Sequence, residues 1–247
     1  TAEQPLWAAG PHHLATLTNE QWQTVTAPFT ATIRALAIDP QRGALWVGGG
    51  DQRGALAHYD GQQWHTVMAI AEPITALVLD QKGGVWVGTW DGGVYYQVAG
   101  AAATDDTWQH YDAADGLASN LVRTAALDPE GVWFGTEPYL DPNGYHGGIS
   151  RYDLRDSSWH TYTQTHGLPA ASDLPAAAAA ITALAVDDKG VAWAGTPQSV
   201  QIQATAMRWL TDTTTIAPIS ALAAAADWVV AAQADGVILA LDRRVTP

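Results

Sequence analysis

The chain has 247 residues, 47% hydrophobic and 15% charged, with a formal net charge of −14. That is enough apolar matter to bury a core and too little charge for disorder, and an acidic surface repels phosphate backbones, which argues against a nucleic-acid partner. The absence of cysteine excludes disulfides and thiolate metal sites, and no apolar run approaches the roughly 18–20 residues that cross a bilayer, so no membrane insertion is expected.

The chain opens on Thr1, which reads as a processed or excised chain. Residues 5–25 read as three short strands around Trp7, His12–His13 and Trp22. From residue 33 a fuller unit appears: IRALAID (strand A), the turn DPQRG, LWVGG (strand B), a Gly turn, GALAHYD (strand C) and WHTV (strand D). Asp bonds its own backbone in such turns and Gly supplies positive φ. The pattern returns from residue 74 (ITALVLD, DQKGG, VWVGT, GGVYYQV, WQHY), from 122 (VRTAALD, DPEG, VWFGT, GGISRYD, WHTY) and, more weakly in strand C, from 181 (ITALAVD, DDKG, AWAGT, SVQIQ, RWLT). Residues 219–242 supply A, B and C of a last unit.

The unit starts lie 41, 48, 59 and 38 residues apart, and four short strands with a period near 40–45 residues signal the blades of a β-propeller, because one such sheet cannot cover both its faces and stacked sheets can. The reading is a single all-β propeller domain over residues 1–247 with six blades. The first, 5–25, and the last, 219–242, are partial, and full blades start near 33, 74, 122 and 181. A seven-bladed ring or a share of a larger one is the alternative. A five-bladed ring, in which 219–226 completes the first blade, would strand the apolar segment DWVVAAQADGVILALD.

Eleven of the twelve tryptophans fall on the repeat. Trp7, Trp46, Trp86, Trp133, Trp193 and Trp228 are assigned to strand B, and Trp22, Trp64, Trp108, Trp159 and Trp209 to strand D. They read as packing residues between blades. Gly48, Gly88, Gly135 and Gly195, two residues after a strand-B Trp, are expected to let the neighbouring sheet approach. Asp39, Asp80, Asp128 and Asp187 read as turn formers. Trp90 alone lies outside the pattern.

The phrases DQKGGVWVGTWDGGV (80–94) and DPEGVWFGT (128–136), with Asp-Gly-Leu at 115–117 and His-Gly-Leu at 166–168, resemble the two-component regulator propeller repeat. The resemblance implies a sensor-type β-propeller, periplasmic or extracellular, of a kind that often recognises carbohydrate fragments. It transfers no catalytic residue and implies no cofactor.

In a propeller the D–A and B–C connections open on one side. Here that side carries the long connections DAADGLASN (112–120), TQTHGLPAASDLPAAAAA (163–180) and EPYLDPNGYH (137–146). Long loops on a rigid scaffold are where binding residues concentrate, although neutral insertion is the plain alternative. Trp90, Tyr139, Tyr145 and His146 read as an aromatic platform for sugar C–H faces or a protein surface, with Asp141 and Asn143 to bond hydroxyls; alternatively Trp90 only lids its own blade. Arg34 and Arg123 stand second in strand A, where the other units have Thr75, Thr182 and Ser220. They are expected near the channel mouth, holding an anion or paired with neighbouring carboxylates.

The resulting expectation is a non-catalytic recognition or sensor propeller for a carbohydrate-like ligand or a protein partner. The alternative is a metal-assisted lyase or hydrolase of the streptogramin-lyase or lactonase propeller type. WFGTE (133–137), with Glu137, Asn143 and His146, echoes the former once. His65, His110 and His160 are assigned to strand D and expected to be exposed, and His12, His13 and His58 to strand C. No phosphate loop, nucleophile elbow or HExxH phrase is present.

Overall fold

The computed structural model describes residues 6–100, 107–142, 144–169, 179–215, 217–225 and 227–242. The strands form six antiparallel blades of a β-propeller. By contacts the chain divides into two compact units, residues 1–110 and 111–247.

The first unit holds blade 1 (β1 Leu6–Gly10, β2 His13–Thr18, β3 Gln21–Val25) and blade 2 (β4 Ile33–Ile38, β5 Leu45–Gly50, β6 Gly54–Tyr59, β7 Trp64–Ile70). It also holds blade 3 (β8 Ile74–Leu79, β9 Val85–Thr89, β10 Val94–Gln97, β11 Trp108–Tyr111), whose last residue marks the boundary between the units. His12 lies in the turn before β2 and not on the strand, a correction to its assignment.

The second unit holds blade 4 (β12 Val122–Asp128, β13 Gly131–Thr136, β16 Ile149–Asp153, β17 Ser158–Tyr162), with a two-stranded ribbon between β13 and β16 (β14 Tyr139–Asp141, β15 Gly144–His146). Blade 5 follows (β18 Ala183–Val186, β19 Ala192–Gly195, β20 Ser199–Thr205, β21 Arg208–Thr214), then blade 6 (β22 Ile219–Ala225, β23 Trp228–Gln233, β24 Ile238–Asp242). Because β22 pairs with β23, the apolar segment after it is not stranded. Gln164–His166 form a 3-10 turn, and among the described residues no helix is long and apolar enough to cross a membrane.

Strand B is the most enclosed element of each full blade. Every residue of β9, β13 and β19 is buried. The strand-B glycines explain how closely the sheets approach. A Cβ at Gly48 would lie 2.7 Å from Cγ2 of Ile74, the first residue of β8, and one at Gly195 would lie 2.5 Å from Cγ2 of Ile219. Gly135 faces Ile181 in the same way. In blades 3, 5 and 6 the first apolar residue thus plugs a notch in the blade before it, and Ile74, Ile181 and Ile219 are all fully buried.

The Gly-Leu phrases are latches. Gly116 (φ 121°) and Gly167 (φ 94°) take a left-handed conformation that other residues resist, and each turns the chain so that the next residue, Leu117 or Leu168, is buried. Each glycine also presses on the strand-D tryptophan of the blade it precedes, Gly116 on Trp159 and Gly167 on Trp209.

Two tryptophans depart from the expected packing. Trp22 is 53% exposed. It lies in the first blade, and no described loop precedes that blade to latch over it. Trp228 is 44% exposed, because it does not occupy the repeat's tryptophan slot. In blades 2 to 5 the tryptophan pairs with the fifth residue of strand A counted from its Ile or Val, as Ala37 pairs with Trp46 and Ala126 with Trp133. In blade 6 the equivalent Ala223 pairs with Val230. The register therefore aligns Val229–Gln233 with VWVGT, and Trp228 falls one residue before that run.

Candidate functional site

The second residue of strand A lies in a β-bulge wherever a register shift occurs there: Arg34, Thr75, Arg123 and Ser220. A bulge leaves one residue unpaired and re-aims its side chain. Thr75 and Ser220 turn theirs back onto strand-B carbonyls, Gly88 O at 3.2 Å and Ala232 O at 3.1 Å. Arg34 does likewise, its Nε donating to Gly50 O at 3.1 Å. Arg123 instead reaches along its own blade to Glu137, Nη1 to Oε2 at 2.5 Å. Glu137, the acidic residue of the WFGTE phrase, is thereby engaged in an ion pair.

The 137–146 connection forms a β-ribbon where sequence suggested a loop. Tyr139 pairs with His146, Leu140 with Tyr145 and Asp141 with Gly144. Cross-strand pairing stacks the Tyr139 and His146 rings with centroids 4.9 Å apart and planes within 18°. Asn143 and the side chains of Asp141 and Tyr145 lie outside the described residues.

The ribbon walls a cavity of about 120 Å³. Pro138, His146 and Gly147 form one side, Thr163, Gln164 and Thr165 the other, and Leu168 and Ile181 contribute apolar surface. Thr163 N donates to His166 Nδ1 at 3.1 Å, which fixes the His166 tautomer with its proton on Nε2. His166 does not line the cavity; its ring meets Tyr162 edge-on. Thus the B–C ribbon of blade 4 and the D–A connection that follows the blade line one cavity, which adds Gln164 and Thr165, residues not singled out from the sequence. Only the local 3-10 turn, invisible in the polar string TQTH, aims them inward.

In the first unit, Trp90 heads the B–C turn of blade 3, 41% exposed, with its backbone N–H donating to Pro73 O at 2.9 Å. Beneath that turn lies a group that sequence reasoning missed. Glu72 Oε2 is buried without a hydrogen-bond partner, and a Cβ at Gly92 would lie 2.5 Å from it. His110 Nε2 donates to Gly92 O at 2.7 Å and its ring stacks on Tyr95 at 4.6 Å. Burial, then the charge of Glu72, holds the Tyr95 phenol above its ordinary range. The one signal for Glu72 was its place as the single acidic residue of the short connection between β7 and β8.

Among the described residues no three of His, Asp and Glu are placed to hold a metal ion. The family model described as the two-component regulator propeller matches residues 70–91, which run from the end of β7 through β8 and β9 into the B–C turn. These residues are a two-component regulator propeller repeat. Within that repeat Asp80 Oδ1 accepts from Lys82 N and Gly84 N at 2.9 Å each, while Oδ2 accepts the Trp86 indole at 3.2 Å. The motif residues are therefore spent on the repeat's own packing, and Trp90 stands at its rim.

The chain is similar in fold to the extracellular domain ascribed to the hybrid two-component system BT3049 of B. thetaiotaomicron, with TM-score 0.72 and 18% identity, over 98% of this chain and 32% of that one. It thus spans about a third of that domain's length. It is also similar to the computationally designed Ika8 protein (TM-score 0.66, 15% identity, 99% and 70% covered). The Neurospora crassa Pan2 WD40 domain is a third likeness (TM-score 0.67, 8% identity, 100% and 74% covered). No curated protein matches the sequence.

Proposed function

We propose that this chain is a non-catalytic recognition propeller of the sensor type. It binds a carbohydrate-like ligand through its D–A and B–C connections, with a protein partner at the same surface as the other reading. The binding residues are Tyr139, Tyr145, His146 and Arg123 in the second unit and Trp90 and Arg34 in the first. The observation that carries this is the stacked Tyr139–His146 pair, whose His146 lines a cavity shared with Gln164 and Thr165. Ring faces suit the apolar C–H patches of a sugar, and neutral amide and hydroxyl groups suit its hydroxyls. A periplasmic or extracellular setting is supported by the likeness to an extracellular domain and by the two-component regulator propeller repeat.

The test is calorimetric titration of a soluble oligosaccharide panel. Binding that is lost in Tyr139→Ala and His146→Ala supports the reading. A folded Trp90→Ala/Tyr139→Ala double variant that binds as the parent does would overturn it.

A further inference from the structure

Each junction between blades of one unit has two halves. The strand-B tryptophan of one blade shares a core with the two residues that flank the same slot in the next blade. Trp7 meets Leu45 and Val47 in this way, Trp46 meets Val85 and Val87, Trp133 meets Ala192 and Ala194, and Trp193 meets Val229 and Ala231. Those flanking residues are all at most 3% exposed. A blade thus offers its slot to the blade after it and its flanking pair to the blade before it.

One flanking pair and one slot are left over. In blade 1, the first described blade, the pair is Leu6 and Ala8, and both are exposed, Leu6 at 58%. Leu17 and Trp22 pair across the strands beside Leu6, and Ala15 beside Ala8, so they extend the same apolar face, which Gly10 and His13 end. In blade 6 the slot holds Val230, 37% exposed. Ala223 and Ala240 pair with it on either side, and Ala221 and Ile238 pair with Ala232 in the next row of that face, Ile238 being 69% exposed. Trp228 and Asp242 close the face at its other end. Between those ends it is made of alanine, valine and isoleucine alone.

We propose that these two faces are the halves of one junction made between molecules, with blade 6 of one copy stacked on blade 1 of the next. Both are exposed in the single chain, and contiguous apolar faces of this kind mark association surfaces. The notch decides which blade fits. Gly48, Gly135 and Gly195 pair with the third residue of strand A, or flank its bulge, where a Cβ would collide with the first Ile of the following blade. In blade 6 the residue paired with the third of strand A, Ala221, is Ala232, so its Cβ fills the notch. A blade that opens with the repeat's Ile is therefore rejected. Blade 1, whose described strands start at strand B, brings no such Ile and is accepted. Because the two faces differ, the contact is head-to-tail and passes from copy to copy until a ring closes or a filament grows. The interface does not rest on the ligand site proposed above.

The test is sedimentation velocity on the whole chain and on Val230→Glu and Leu6→Glu. Both side chains are exposed, so a charge there leaves the blades folded, which circular dichroism checks. The parent is expected to form species larger than a monomer whose share grows between about 1 and 100 µM. Each variant alone is expected to lose that growth. Val230→Glu keeps the blade 1 face and Leu6→Glu keeps the blade 6 face, so an equal mixture of the two should form a dimer and nothing larger. The proposal is overturned if the parent stays monomeric up to about 100 µM, if either variant alone associates as the parent does, or if the mixture stays monomeric or passes beyond a dimer.

Discussion

The indole N–H of Trp133 donates to Asp128 Oδ2 at 2.6 Å, and the same bond joins Trp86 to Asp80 and Trp193 to Asp187, at 3.2 Å in both. One carboxylate thus closes the A–B turn through one oxygen and satisfies a buried indole through the other. Removing it opens the turn and leaves a buried donor unpaired, at about 1–3 kcal/mol for the donor alone. Asp187→Ala is expected to lower stability by roughly 2–4 kcal/mol, measured by urea denaturation. Asp187→Asn keeps one acceptor oxygen but sets its NH2 against either the turn N–H groups or the indole, so it should recover only part of that loss.

The notch at Gly195 is filled by Ile219. Gly195→Ala forces an overpacked contact and is expected to cost about 1–3 kcal/mol. Ile219→Ala makes room at the cost of a cavity. In the double variant the two losses should sum to clearly less than their separate values, since the residues touch. Additive losses in a double-mutant cycle would show that the notch is not what sets the spacing of blades 5 and 6.

Trp46, His58 and His65 form a stack with ring centroids 4.9 Å apart at each step, and His65 Nε2 bonds Asp60 at 2.7 Å. Burial, then the neighbouring His65, holds His58 below its ordinary pKa. The fold therefore favours neutral His58. Its contribution to stability is whole above the unfolded histidine value, near 6.5, and declines as pH falls below it. His58→Phe should flatten the fall in melting temperature between about pH 7 and pH 5.

Asp153 behaves in the opposite range. Its bonds to Arg155, and next in strength those to the Arg155 backbone and Arg151 against the penalty of burial, hold its pKa well below the usual carboxylate range. That stabilisation is present above the unfolded value near 3.8 and is lost only in stronger acid. Arg151→Met is expected to bring the onset of acid unfolding to higher pH, read by far-UV circular dichroism.

If recognition is non-catalytic, the melting temperature should not depend on divalent cations. Added Mg²⁺ or Ca²⁺ should leave it unchanged against a chelator control. A rise that saturates at one ion per chain would instead favour the lyase or hydrolase reading.

The repeat and the strand that carries each recurring tryptophan were legible in the sequence, because turn chemistry and packing recur with the period. Trp228 shows the limit. A Trp beside two valines looks like strand B, but register is set by pairing with Ala223 and its neighbours, and pairing moved the slot to Val230. The candidate site was legible only as a surface. Sequence pointed to the 137–146 connection, yet it took cross-strand pairing to stack Tyr139 on His146.

The sequence by itself determined that this protein stacks four-stranded sheets, since an apolar period with Asp and Gly turns leaves no other way to cover both faces. The tertiary structure alone decided which side chains meet across blades and loops: Ile219 in the Gly195 notch, Gln164 opposite His146, Arg151 over Trp133 between two aspartates. Those meetings depend on register, bulges and the direction of each bond vector, none of which local composition encodes.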